Sequence, residues 1–111
     1  MQIPTLKERI IATVLTEGGA GMSKDVSFKN RDRFIQLGIA ISTLRRMRGM
    51  SQEKLAEKAG ISRSLLSAIE APNTAKAFSL EVFFDLADAL DVDPADLITA
   101  SVFPDRVLNR T

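Results

Sequence analysis

The stretch Gly49–Asn73, "GMSQEKLAEKAGISRSLLSAIEAPN", decides how this 111-residue chain folds. It reads as two helical segments of about two turns each, hinged on Gly60. Helices that short are marginal alone, because the first hydrogen-bonded turn is costly to nucleate. The surrounding chain must therefore hold the pair at a fixed angle. Ser51 and Ser62 are suited to cap the two segments, and Glu53 puts a negative charge in a first turn, where the helix dipole favours it. Gly60 can take a positive φ without steric cost and so turn the chain sharply. Pro72 must stop the second segment, since it drives Ala71 out of helical geometry.

Working outward from the hinge, small Ala56 permits a crossing helix to approach closely. Leu55, Ala59, Ile61, Leu66 and Ile69 mark an inner face. Arg63, Ser64, Ser67 and Ala68 are left pointing outward. A short helix seated on one side and bare on the other fits the major groove of B-DNA, about 12 Å wide.

The flanks read as further helices, with no strand. Upstream, Phe34, Leu37, Ile41 and Leu44 form one apolar stripe over about 31–48, with Asn30 as N-cap and Gly49 as stop. Downstream, Ser79 caps a helix carrying Leu80, Phe83, Phe84, Ala87 and Leu90 toward the core. Asp93 and Pro94 then open a shorter helix, proline being favoured at the first helical position. At the start of the chain, "PTLKERIIATVLTEGG" pairs Thr5 with Glu8 as a capping box and carries Leu6, Ile10 and Val14 as a stripe. "EGGAG" is a joint. The expected division is residues 1–30 as an N-terminal helix and joint, 31–99 as the main domain and 100–111 as a short tail.

Composition removes several classes of function. The chain has no Cys and no His, so disulfides, thiolate metal sites and the commonest general base are missing. Asp85, Asp88, Asp91, Asp93 and Asp96 do not form a calcium loop. They read as caps and a solvated acidic face. No catalytic residue, metal or cofactor is expected, and no apolar run is long enough to span a bilayer. The net charge of +1 conceals a dipole: residues 31–76 hold nine basic against four acidic residues, and residues 77–111 hold two against seven. A segment of +5 beside one of −5 presents one face suited to a polyanion.

"LGIAISTLRRMRGMSQEKLAEKAGISRSLLSAIE" and the following "SLEVFFDLADALDVDPADLI" resemble the helix-turn-helix of the phage-repressor (XRE/Cro) family, over about Phe34–Ile98. The resemblance implies an all-α, five-helix lambda-repressor-like DNA-binding domain, here with an extra N-terminal helix and a short C-terminal tail. It also implies a homodimer on a pseudo-palindromic operator, acting as a transcriptional regulator, by default a repressor, in the cytoplasm at the nucleoid. Carried over by position, Ser62, Arg63, Ser64, Ser67 and Ala68 fall at base-contacting places. Gln52, Asn73, Thr74 and Lys76 fall at phosphate-contacting places. Arg45 and Glu70 fall where a basic and an acidic side chain pair internally. Relatives carry a long polar residue where Ala68 stands, so direct base readout rests mainly on Arg63. Arg46 and Arg48 are expected to face solvent or phosphate loosely. The alternative reading is a protein-interaction module, antitoxin-like or an adaptor, binding a protein partner through its terminal segments.

Overall fold

The computed structural model of the protein describes residues 26–104; the N-terminal helix expected before them lies outside that range. A single 3-10 turn, Phe28–Asn30, leads into five helices: α1 (Arg31–Met47), α2 (Gln52–Ala59), α3 (Arg63–Glu70), α4 (Leu80–Ala89) and α5 (Pro94–Val102). The architecture is all-α. No helix among the described residues is long and apolar enough to cross a membrane.

The starts of the helices follow local chemistry. Ser51, Ser62 and Ser79 each accept a hydrogen bond from the backbone N–H three residues on, at 3.0, 3.0 and 3.1 Å. Asp93 accepts from the Ala95 N–H at 2.8 Å, with Pro94 in the first helical position. Each bond satisfies a donor that the helix itself leaves unpaired. Asn30 differs. It stands at the N-cap of α1 but its side chain makes no capping bond, and its amide oxygen Oδ1 accepts from the Arg33 guanidinium instead, at 3.0 Å. The preceding 3-10 turn already delivers the chain into α1, so the cap is dispensable.

The ends of α1, α2 and α4 share one device. The N–H groups of Gly49 and Met50 bond back to Arg46 and Arg45, those of Gly60 and Ile61 to Glu57 and Ala56, and those of Asp91 and Val92 to Asp88 and Ala87. This is the paired pattern of a Schellman ending, with a left-handed residue followed by an apolar one. Gly49 and Gly60 adopt φ of 70° and 71°, and Asp91 takes 56° without glycine's freedom. Met50, Ile61 and Val92 then pack against the core.

The core is a single cluster. Ile41, Leu44, Leu55, Leu66, Ile69, Leu86, Leu90 and Leu97 are its largest fully buried side chains, drawn from all five helices or their ends. Each withdraws enough apolar surface to contribute about 1.5–3 kcal/mol relative to exposure. α1 runs across both α3 and α5. At its crossing with α3 it carries Gly38, where any Cβ would collide with the Ile69 carbonyl oxygen.

Three expectations change. Leu80 is 70% exposed and Phe84 47%, because the buried face of α4 centres on Phe83, Leu86, Ala87 and Leu90 and leaves these two at its margin. Arg48 is not loose. Its Nε–H donates to the Leu90 carbonyl at 2.9 Å, and a second N–H reaches the Asp91 carbonyl at 3.5 Å. A cation there meets the unpaired carbonyls and negative dipole end of α4. The fifth helix runs on to Val102 with Ala100 buried, so the boundary expected between 99 and 100 falls inside α5.

Candidate nucleic-acid interface

α2, the turn through Gly60 and α3 form a helix-turn-helix with unequal faces. On α3, Leu66, Ile69 and Glu70 are buried, and Arg63, Ser64 and Ser67 are exposed. The same outer side, with Ala68 and Ala71, lines a shallow concavity. Positions 63, 64, 67 and 68 share one face by helical spacing, so the split follows directly from the 3.6-residue repeat. Leu65 is half-buried and packs against the core, which draws it away from the exposed stripe.

The serine at the start of α3 is partly committed. The Ser62 hydroxyl oxygen accepts from the Leu65 N–H, which leaves its O–H free to donate outward. Arg63 has no carboxylate within ion-pair distance among the described residues. Its five N–H donors face solvent at the first position of α3.

Behind this surface lies a buried polar cluster. Arg45 donates through Nε to Glu70 Oε2 and through a terminal nitrogen to Glu70 Oε1, both at 2.9 Å. Its remaining terminal nitrogen donates to the Met50 carbonyl at 2.8 Å. Gln52 donates its amide N–H to Glu70 Oε1 at 3.0 Å. One carboxylate thus joins the end of α1, the start of α2 and the end of α3. The hydrogen bonds it donates to Glu70, set against desolvation, hold the Arg45 guanidinium pKa above its ordinary value. Among the described residues no buried side-chain nitrogen or oxygen lacks a partner.

Gln52 therefore has two assignments that compete for its amide. One N–H is taken by Glu70, while its carbonyl oxygen and second N–H remain beside the start of α2, a place that favours anions. Past α3, the Thr74 N–H bonds to the Ala71 carbonyl at 3.3 Å, closing a turn with Pro72 and Asn73 at its centre. Pro72 is in the position a β-turn favours for proline. Asn73 and Thr74 are exposed at that turn, and Lys76 is half-buried two residues on. Across from it, a terminal nitrogen of Arg31 donates to the Asn73 carbonyl at 3.3 Å. Sequence spacing singled out neither Arg31 nor Gly38.

No cluster of three or more potential metal ligands occurs among the described residues. A family model described as helix-turn-helix matches residues 41–97. Among solved structures, the restriction-modification controller protein C.AhdI from Aeromonas hydrophila is similar at 34% sequence identity, with a TM-score of 0.54. The match covers 58% of this chain and 94% of that one. No curated protein matches the chain in sequence.

Proposed function

Because the chain belongs to the helix-turn-helix family, in which it is a DNA-binding transcriptional regulator, we propose that it is sequence-specific for duplex DNA and acts as a homodimeric repressor. The observation that carries this reading is the two-sided α3, buried on Leu66 and Ile69 and bare along Arg63, Ser64 and Ser67. Arg63 would take a guanine through its O6 and N7 atoms, a contact worth about 1–3 kcal/mol of discrimination. Ser62, Ser64 and Ser67 would supply shorter polar contacts, and Ala68 a small apolar one. Gln52 would hold a phosphate at the start of α2, and Asn73, Thr74 and Lys76 would hold one at the turn that follows α3.

One such helix reads few bases, so useful affinity calls for two copies on a pseudo-palindrome, their α3 helices about 34 Å apart. The face we assign to the second copy surrounds Leu80 and Ile98, which are 70% and 47% exposed. They border an almost wholly apolar cavity of about 250 Å³, also lined by Phe34, Leu37, Phe78 and Phe83. Leu80 opens the helix that follows α3, so a mate docked there lies beside the DNA-facing edge. Repression would follow from the bound dimer obstructing polymerase, in the cytoplasm at the nucleoid.

Selection of bound sites from a random oligonucleotide pool tests the reading. Enrichment of a two-fold-related motif with a guanine in each half is the expected result. A pool that stays random after several rounds would sink sequence-specific recognition.

A further inference from the structure

We propose that Arg31 is a phosphate-contacting residue, which joins Lys76 and the Asn73–Thr74 turn in one cationic grip at the C-terminal end of α3. The proposal rests on the DNA-binding reading above and adds a contact that sequence position does not suggest. Arg31 and Asn73 lie 42 positions apart, yet the fold brings the guanidinium to 3.3 Å from the Asn73 carbonyl oxygen.

Three other arginines of the basic segment are occupied. Arg45 is buried on Glu70, Arg48 covers the end of α4, and Arg33 is bonded to Asn30. Arg31 is exposed and uses one hydrogen bond, to a carbonyl, with no carboxylate within ion-pair distance among the described residues. Four of its five N–H donors and its full charge stay available.

Position then identifies the ligand. An eight-residue helix such as α3 is about 12 Å long, close to the width of the groove it would enter. The two phosphate ridges bounding the groove must therefore pass its two ends. At the C-terminal end α3 has no basic residue in its last turn, and its dipole is negative there. A phosphate ridge would be repelled at that end unless a cation came from elsewhere. Arg31 supplies it from the first position of α1, anchored on the turn that follows α3. The planar guanidinium can then present two parallel N–H groups to phosphate oxygens.

The test is a salt titration of binding to random-sequence duplex with the parent protein, Arg31→Gln and Arg31→Lys. Glutamine keeps a donor for the Asn73 carbonyl but removes the charge. The slope of log affinity against log salt should fall by about 0.9 for each bound monomer in Arg31→Gln. That slope corresponds to about eight-fold weaker binding per monomer at 0.1 M relative to 1 M salt. Arg31→Lys should keep the parent slope. A steep parent slope left unchanged by Arg31→Gln would overturn the assignment and leave DNA binding standing. A flat parent slope would overturn both. A second measurement needs no variant: duplex should protect the Arg31 guanidinium of the unaltered protein from phenylglyoxal, read by mass spectrometry. Equal labelling with and without duplex would also overturn it.

Discussion

Arg45 and Glu70, 25 residues apart, meet through two parallel hydrogen bonds of 2.9 Å, with side chains 10% and 4% exposed. The pair fixes the end of α3 against the end of α1, and through Gln52 against the start of α2. Removing one partner strands the other's charge in the interior. Glu70→Ala should therefore destabilise the fold by about 3–5 kcal/mol, read by urea unfolding. The double variant Arg45→Met with Glu70→Leu should recover most of that loss, since apolar replacements of similar volume leave no stranded charge. If Glu70→Ala unfolds at the parent's urea concentration, the bridge has no bracing role.

Gly38 allows α1 to lie directly on the backbone of Ile69 and Glu70. Alanine is preferred to glycine within helices by about 1 kcal/mol, so a gain in stability would follow if helix propensity governed. The collision is with backbone, which cannot rotate away, and overpacking of this kind costs about 1–3 kcal/mol or more. Gly38→Ala should thus lower the melting temperature and, by displacing α3, weaken DNA binding as well. A variant more stable than the parent would show that the two helices are free to separate there.

Arg63 and Gln52 should fail differently. Arg63→Ala removes an exposed side chain with no ion-pair partner among the described residues, so stability should hold within about 0.5 kcal/mol. Selected sites should then lose preference at one position in each half, by about 1–3 kcal/mol. Gln52→Ala should weaken all duplexes alike, and it should also cost about 1 kcal/mol of stability because it removes a hydrogen bond to Glu70. Site selection and urea unfolding on both variants separate the two roles. An unaltered motif with Arg63→Ala would remove Arg63 from base recognition.

Leu80 opens α4 at its first position and is 70% exposed. Aspartate there suits the helix dipole, so Leu80→Asp should leave the isolated fold intact. A charge placed at the centre of the face assigned to the second copy should turn dimer into monomer by sedimentation equilibrium. DNA affinity should fall with it. A variant that sediments as the parent does would locate the self-association surface elsewhere.

What was legible in the sequence was what is local. Ser51, Ser62, Ser79 and Asp93 cap their helices through bonds spanning two or three residues, so the residue type at the right offset suffices. Gly60 was legible for the same reason, and the family resemblance drawn from this segment agrees with the helix-turn-helix match. Leu80 and Phe84 were over-assigned to the core, because an apolar stripe locates a face but not its margins. Gly38 was missed because a glycine inside a helical pattern reads only as a cost until the crossing partner is known. Arg48 was read as facing solvent or phosphate loosely, and Arg31 entered only as one charge of the basic segment. Their partners lie about forty residues away, and only the assembled chain brings them into reach.

The repeated ending of α1, α2 and α4 bears on how quickly the molecule assembles. Each of those helices carries its own stop signal within six residues, so its length is set before any distant part of the chain arrives. What remains is for these short helices to form and dock together through connections of three to nine residues, with little loop entropy to overcome. A freshly synthesised copy should fold on the fast timescale of small helical proteins, in microseconds to milliseconds, before it pairs with a second copy. For a regulator, its concentration would then follow its own synthesis without a maturation delay.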